Sequence, residues 1–301
     1  MRTFNLGQDL PRAMEHGRHV IQGFSEVMYS RVLDRLAEAH LPPGVLTPFL
    51  RAYCRVYDVD VAEVPSPLQD YRSFREFFVR PVRAGMRHVD NAPARLTSPV
   101  DARILASGLF DGQTPVTMRI KGRIYTLEDL LGTREAQGPI ESGGFVLFYL
   151  APGGYHRFHS PVAGSLTGVA YLPGTRRPVN RIGRRLFPDV YVTNRRVVVR
   201  IRAAGEPGLD VLLVLIGAMG VGRIVMEIGG RPMIGDGDLE WRARPDPPVT
   251  VGRGDEIGHF DLGSSAVLVW SGAGKSTILA PDGPVKMGAP VVTLGTRRED
   301  A

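Results

Sequence analysis

Apolar residues at helical spacing mark the first sixty positions of the chain. They recur at every fourth residue from Phe24 to Leu36, with charged residues off this stripe, a pattern that predicts an amphipathic helix. The LPPG run at 41–44 ends this helix, because proline interrupts helical hydrogen bonding. A second apolar and aromatic stretch begins at Pro48. Two interpretations stay open for these helices: packing on the rest of the protein or lying in a membrane interface.

Beyond a proline-rich segment at 64–70, the pattern changes to short strand-like runs between turn signals. These runs are rich in β-branched and aromatic residues, which favour strands. They occupy residues 116–120, 145–150, 197–201, 211–216, 223–228, 266–270 and 291–294. Only 73–79 and Leu127–Leu131 favour helix in this part of the chain. We therefore predict a mainly β, α+β fold, with a sandwich or distorted-barrel body preceded by amphipathic helices.

Composition narrows the class of protein. The 301 residues include 36 glycines and 24 prolines, as expected for many turns and short strands rather than a helical bundle. The one cysteine, Cys54, excludes an intrachain disulfide framework and a cysteine-rich zinc or iron–sulfur site. No segment reaches the roughly 20 apolar residues of a membrane-spanning helix, and the N-terminus lacks the apolar core of a secretory signal. The formal net charge of +6 is compatible with either an anionic membrane surface or nucleic acid.

Three short segments carry candidate chemistry. His156 and His159 lie in the run YHRFHSP, where they are either metal ligands or loop histidines bonded to backbone groups. Asp101 in SPVD is typical of a residue that forms a turn. Ser264 follows Gly263 at the start of a strand-like run, which indicates either plain turn chemistry or a strained peptide bond beside a nucleophilic hydroxyl. The residues alone leave these alternatives open.

Eight segments follow one another between residues 71 and 265 in a specific order, although each one is a weak signal by itself. They are YRSFREFFVRPVR (71–83), SPVD (98–101), KGRIYTLEDLLG (121–132), YLAPGGYHRFHSPVAG (149–164), YLPGTRRPVN (171–180), TNRRV (193–197), IGAMGVGRI (216–224) and RGDEIGHFDLGSS (253–265). In this order the chain resembles the bacterial-type phosphatidylserine decarboxylases, which use a pyruvoyl group. The resemblance covers most of the chain from about residue 70 to 270 and is weaker towards the C-terminus.

The resemblance implies a proenzyme that cuts itself between Gly263 and Ser264, within an LGST-like motif. It also implies a self-processing triad of Asp101, His159 and Ser264, in which His159 takes the hydroxyl proton and Asp101 orients the ring. Ser264 would attack the carbonyl of Gly263 to give an ester, and elimination and hydrolysis would leave a pyruvoyl group at position 264. The large β chain would span 1–263 and the small α chain 264–301.

The implied enzyme is a carboxy-lyase that converts phosphatidylserine to phosphatidylethanolamine. Its covalent pyruvoyl cofactor would form a Schiff base with the substrate amine and act as the electron sink that pyridoxal supplies in other decarboxylases. Scarce lysine fits this cofactor, since Lys121, Lys275 and Lys286 are the only three and none lies in an obvious site. The resemblance implies that His156 assists decarboxylation or protonation, and it implies no metal.

A lipid substrate implies contact with a bilayer. We therefore expect residues 1–65 to form a helical membrane-associating region and 66–301 to form the β-rich catalytic domain. The positive net charge then favours an anionic membrane surface over nucleic acid. We expect a peripheral protein at the cytoplasmic face of the cell membrane. By resemblance alone we also expect an α/β heterodimer of the two fragments and a dimer of such units.

The chain departs from the family pattern at three places. Ser265 replaces a threonine after the nucleophile, alanine follows SPVD where glycine is usual, and Arg195 stands where an acidic residue is common. None of these changes removes a triad residue. The alternatives are a metal-dependent hydrolase that uses His156, His159 and Asp101, a non-catalytic lipid-binding β-domain, and the same chemistry on a related serine phospholipid.

Overall fold

The computed structural model describes residues 32–110, 112, 115–132, 142–206, 208–218, 223–261, 264–272, 274–280 and 282–295. The predicted helix that starts at Phe24 lies partly outside these residues; its described part, residues 32–38, is helical and is named α1. The other helices are α2 (Pro43–Val56), α3 (Phe74–Phe78), α4 (Leu127–Leu131), α5 (Arg181–Leu186) and α6 (Val190–Thr193). Short 3-10 turns at Val61–Glu63 and Leu68–Asp70 connect α2 to α3.

Helix α2 begins earlier than the sequence predicts. It starts at Pro43, so the predicted start at Pro48 is wrong, and Pro48 lies inside the helix. Pro43 is favoured in the first turn, because the N–H that proline lacks would have no partner within the helix there. The inward face of α2 buries Leu46, Leu50 and Cys54. These residues belong to a small core with Phe77 of α3.

Strands account for most of the ordered structure beyond α3. They are β1 (Arg95–Thr97), β2 (Ala102–Leu109), β3 (Thr117–Ile120), β4 (Arg123–Thr126), β5 (Gly143–Leu150), β6 (Arg157–His159), β7 (Gly164–Leu172), β8 (Arg196–Ala203), β9 (Asp210–Gly217), β10 (Ile224–Ile228), β11 (Arg231–Gly235), β12 (Trp241–Ala243), β13 (Val249–Val251), β14 (Glu256–Phe260), β15 (Ser264–Ser271), β16 (Thr277–Ile278), β17 (Gly283–Val285) and β18 (Pro290–Thr293). Each strand-like run in the sequence lies in or overlaps one of these strands.

The strands form one large sheet and three smaller ones. The large sheet has the order β12-β7-β8-β9-β15-β5-β2-β17, and β13 also pairs with β7. A four-stranded sheet has the order β11-β10-β14-β6, a three-stranded sheet has the order β1-β18-β16, and β3 and β4 form a hairpin. All of the strand pairs are antiparallel. Among the described strands the large sheet is open rather than a closed barrel, and the predicted mainly β class is confirmed.

The large sheet separates two hydrophobic cores, because side chains alternate across each strand. On β15, Ala266 and Leu268 lie in the core that the four-stranded sheet covers, together with Phe260 of β14. Val267 and Val269 lie in the second core, which the β3–β4 hairpin, α4 and α6 cover. The body is therefore layered, with the large sheet in the middle.

Candidate active site

Ser264 lies at the first position of the central strand β15. It pairs with Leu150 of β5 on one side and with Gly217 of β9 on the other. Its side chain is 1% exposed, and its Oγ has no hydrogen-bond partner among the described residues. Strand alternation directs Ser264 and Ser265 to opposite faces of the sheet. Gly263, on the other side of the predicted cleavage bond, lies outside the described residues.

The other predicted site residues come to this same end of the sheet. β5 ends at Leu150, opposite Ser264, and continues into the loop that carries His156. β2 begins at Ala102, immediately after Asp101, and Arg103 of β2 pairs with β5. The register of β15, β5 and β2 therefore brings residues that are far apart in sequence to the same end of the large sheet.

His156 is completely buried. Its Nε2 donates towards the carbonyl oxygens of Ala151 and Pro152, at 3.1 and 3.3 Å. Its ring stacks on Phe78, with 4.0 Å between the ring centroids. Burial lowers the pKa of His156 to about 3, so the imidazole is neutral at physiological pH. Its Nδ1 has no partner within the described part of the chain, which leaves an acceptor nitrogen.

His159 lies at the end of β6 with both ring nitrogens engaged. Nδ1 is 2.9 Å from the carbonyl oxygen of Gly254, so we assign the ring proton to Nδ1. Nε2 then accepts a hydrogen bond from the hydroxyl of Tyr155 at 2.8 Å. Burial is the main cause that lowers the pKa of His159. Gly254 has a φ of +83°, a backbone conformation that favours glycine at the position that aims this carbonyl.

Asp101 forms the centre of a charged cluster. Its Oδ1 accepts hydrogen bonds from Arg87 Nε and the backbone N–H of Met287, both at 2.8 Å. Its Oδ2 accepts from Arg87 Nη2 and lies 3.4 Å from Lys286 Nζ. Arg87 and Lys286 also bind Glu63, at 2.6 and 3.1 Å. Buried Asp101 is therefore compensated by two cations rather than by a histidine.

Ser264 and Asp101 lie at one end of the large sheet, and His159 lies on β6 of the four-stranded sheet. No hydrogen bond among the described residues joins the three predicted triad residues. Gly254 and Tyr155 occupy the nitrogens of His159, and the oxygens of Asp101 bind the cationic cluster. Among the described residues, no three His, Cys, Asp or Glu side chains are grouped as metal ligands. The triad of Asp101, His159 and Ser264 stays a prediction.

Ion pairs hold the chain on the N-terminal side of the predicted cleavage motif. Asp261 is buried, and its Oδ2 accepts a hydrogen bond from Arg223 Nε at 2.9 Å. The same arginine reaches Glu38 of α1 at 2.8 Å.

Arg195, one of the departures from the family pattern, pairs with Asp236 at 2.6 Å. The residue that stands in place of a common acidic one therefore finds a carboxylate elsewhere.

Several residues of the site escape analysis of the sequence. Arg87 and Tyr155 carry no motif of their own beyond the resemblance. Lys286, which the sequence does not assign to an obvious site, lies 3.4 Å from Asp101 Oδ2. Tyr53 of α2 donates to the carbonyl oxygen of Pro152 at 2.7 Å, the same oxygen that His156 approaches. The signal that could have found Tyr53 is its aromatic hydroxyl on an otherwise apolar helix face, since a buried tyrosine hydroxyl usually has a partner.

Comparison with known proteins gives a consistent assignment. Residues 74–293 match the family model described as phosphatidylserine decarboxylase. A phosphatidylserine decarboxylase proenzyme of Marinobacter nauticus is 33% identical over 247 residues, 81% of this chain and 85% of that protein. The proenzyme of Pseudoalteromonas translucida is 34% identical over 277 residues, 88% and 93% of the two chains. The proenzyme of Azotobacter vinelandii is 31% identical over 299 residues, 96% and 97% of the two chains.

These matches cover the β-rich body and every described residue of the site from Phe78 to Lys286. The two longer alignments together with the family model confirm the resemblance that the order of motifs indicates. The chain belongs to the phosphatidylserine decarboxylase family, and it is a decarboxylase.

Proposed function

We propose that the chain cuts itself between Gly263 and Ser264 and then decarboxylates phosphatidylserine to phosphatidylethanolamine with the pyruvoyl group that forms at position 264. The observation that carries this proposal is the hydroxyl of Ser264, which is buried and has no partner in the described structure. A buried hydroxyl without a hydrogen bond is costly, and such groups are typical of functional sites. The name proenzyme on the relatives supports processing.

Self-cleavage assigns a distinct role to each residue. The Oγ of Ser264 attacks the carbonyl carbon of Gly263, the peptide C–N bond breaks, and an ester and a free amine form. Neutral His159 is a suitable base for the hydroxyl proton because burial lowers its pKa. The Tyr155 hydroxyl, which occupies Nε2 in the structure, must give way when Ser264 is the donor. The charge of Asp101 favours the protonated ring.

Pyruvoyl formation then needs an elimination and a hydrolysis. Loss of the Cα proton expels the ester carboxylate of Gly263 and leaves a double bond in residue 264. Water then adds to this residue, the amino nitrogen leaves as ammonia, and a ketone remains. The buried position of Ser264 at the start of β15 fits a group that must be kept from bulk water. A pyruvoyl group held at position 264 would supply the electron sink that decarboxylation of the substrate needs.

His156 would act near the reacting carbon as a hydrogen-bond acceptor. Its low pKa, about 3, means that it carries no second proton at neutral pH. The ring therefore accepts a proton or a hydrogen bond at Nδ1, while Ala151 and Pro152 fix its orientation through Nε2. The proton that replaces carbon dioxide then comes from water or from a proton that His156 has just accepted.

A cleft beside Asp101 offers a place for the phospholipid headgroup. Its volume is about 500 Å3. The residues that line it are mainly apolar and include two cations: Asp101, Ala102, Arg103, Ala151, Gly154, Pro284, Val285 and Lys286. Arg103 and Lys286 suit the phosphate and carboxylate of the substrate. The apolar lining suits the glycerol end of the acyl chains.

Helix α2 supports membrane association in a peripheral manner. Its outward face exposes Val45, Phe49 and Val56, by 58%, 49% and 75%. Arg51 and Arg55 are exposed on the same helix, as in helices that lie in an anionic interface. In the described residues no helix is long and apolar enough to span a bilayer. Our proposal includes that α2, within the membrane-associating region 1–65, lies on the cytoplasmic face of the cell membrane.

The mass of the purified protein tests the proposal. Processing predicts two fragments, residues 1–263 and 264–301, with a blocked N-terminus that bears a carbonyl on the smaller one. Ser264→Ala is expected to stay whole, whereas the matched control Ser265→Ala, a buried hydroxyl on the opposite face, is expected to be cut. Wild-type chain that stays intact would contradict the proposal and favour a non-catalytic lipid-binding domain. Cleavage without release of carbon dioxide from phosphatidylserine would point to a related serine phospholipid.

A further inference from the structure

A second surface of the body, separate from α2, exposes aliphatic side chains to solvent. Helix α5 presents Ile182 and Leu186, which are 68% and 66% exposed. They are four residues apart and therefore lie on the same face of the helix. Two large aliphatic side chains side by side on one helix face form an exposed apolar strip.

The same helix also borders a strongly basic concavity. This concavity of about 450 Å3 separates α5 from the β3–β4 hairpin, and its lining includes five cationic and no acidic side chains. The cations are Lys121, Arg123, Arg181, Arg184 and Arg185. None of them forms a salt bridge with another described residue, unlike Arg87 or Arg223 in the site. Asp189 follows α5 in the chain and likewise pairs with none of the five. The positive charge of this surface is therefore uncompensated within the described structure.

This surface adjoins the sheet end that holds Ser264. The guanidinium of Arg184 lies 6.0 Å from the centroid of the Tyr149 ring. Tyr149 pairs with Ser265 across β5 and β15. Tyr149 thus lies beside α5 and next to the residue that follows Ser264.

We propose that the surface formed by Lys121, Arg123, Arg181, Ile182, Arg184, Arg185 and Leu186, the α5 surface, docks on an anionic lipid bilayer. The aliphatic side chains enter the boundary between headgroups and acyl chains, and the cations contact lipid phosphates. Charge complementarity selects this partner, because the surface is basic and apolar together and lacks acidic groups. The inference deepens the proposed function, whose lipid substrate lies in such a bilayer, and assigns docking to a surface outside the N-terminal helices.

Sedimentation with vesicles tests the α5 surface without any turnover. The vesicles contain phosphatidylcholine alone or phosphatidylcholine with phosphatidylglycerol, so no serine lipid is present. Arg181→Glu/Arg185→Glu and Ile182→Ser/Leu186→Ser are compared with the wild type. We expect the wild type to bind the anionic vesicles, and each double variant to bind them about thirtyfold more weakly, because each lost contact weakens binding about fivefold.

Two control variants and an activity assay isolate the effect. Leu239→Ser changes an 82% exposed leucine and Arg231→Glu an exposed arginine, both outside the α5 surface, and both are expected to bind as the wild type does. All variants are expected to decarboxylate detergent-dispersed phosphatidylserine at the wild-type rate, which shows that they are folded and processed. Loss of that activity in every protein, including the wild type, would refute the proposed function and leave the binding comparison intact.

Two results would overturn the docking inference. Equal binding of the wild type and both double variants to anionic vesicles would show that the α5 surface does not contact the membrane. A change of oligomeric state in Arg181→Glu/Arg185→Glu, measured by light scattering, with vesicle binding unchanged, would assign the surface to a second copy of the chain. Weaker vesicle binding by both double variants, with detergent activity retained, supports the inference.

Discussion

The buried neutral imidazole of His156 predicts that acid destabilises the fold. Burial lowers the pKa of His156 to about 3, whereas an unfolded chain has an ordinary histidine pKa of about 6.5. Between these values the unfolded chain binds the proton and the folded chain does not, so stability is complete above pH 6.5 and falls as the pH decreases. Each pH unit in this interval costs about 1.4 kcal/mol. From pH 7.5 to 4.5 the loss is about 2.6 kcal/mol, a large part of a typical folding stability of about 5–15 kcal/mol.

Unfolding by urea between pH 7.5 and 4.5 measures this effect. All proteins carry Ser264→Ala, so that only uncut chain is compared. His156→Gln keeps a hydrogen-bond donor near Ala151 but cannot titrate, and its loss of stability in acid should be smaller than that of the parent by about 2.6 kcal/mol. His88→Gln, at an exposed histidine, serves as the control and should follow the parent. The same acid dependence in His156→Gln and the parent would refute the reasoning.

Three further predictions concern neighbouring groups. Self-cleavage should slow in acid only below about pH 6.5, since burial lowers the pKa of His159 and the neutral ring is the active form. Tyr155→Phe removes a hydrogen-bond donor to the neutral ring, so it should move the acid limb of the cleavage-rate profile to higher pH. Tyr53→Phe should leave cleavage intact and lower kcat about fivefold with little change in KM, as expected for about 1 kcal/mol of lost orientation of His156. Arg87→Met should lower the free energy of unfolding by about 3–5 kcal/mol, because a buried carboxylate loses its main partner, and an unchanged urea midpoint would contradict this.

The sequence predicts strands well where the chain is continuously apolar. The predicted run at 145–150 lies within β5, which is buried on both faces of the sheet, so its apolar residues form an unbroken pattern. β2 and β7 were not predicted, because small residues such as Ser107 and Gly168 dilute the pattern. β15 begins at Ser264, two residues before the predicted run at 266–270. Serine is not typical of a buried strand, so the sequence does not predict that Ser264 and Ser265 belong to β15.

Sequence motifs identify the candidate residues of the site but not the contacts between them. The order of motifs indicates His159 and Asp101 through resemblance. The partner of His159 Nδ1 is a backbone carbonyl at Gly254, and no residue type encodes the position of a carbonyl. Arg87 reaches Asp101 from a segment without regular secondary structure. Such contacts depend on how strands and loops assemble, so they are determined only once the register of the sheet is known.

The position of β15 has a consequence for a chain that is cut before Ser264. All eight residues from Ser264 to Ser271 pair with β5 on one side and with β9 on the other. Further along, β17 pairs with β2 and β18 pairs with β1. A backbone break before Ser264 would remove none of these pairs, so the 264–301 piece would remain anchored to the rest at three separate strands. The two pieces would then unfold together as one cooperative unit, and the new chain end would be held as firmly as an interior strand residue.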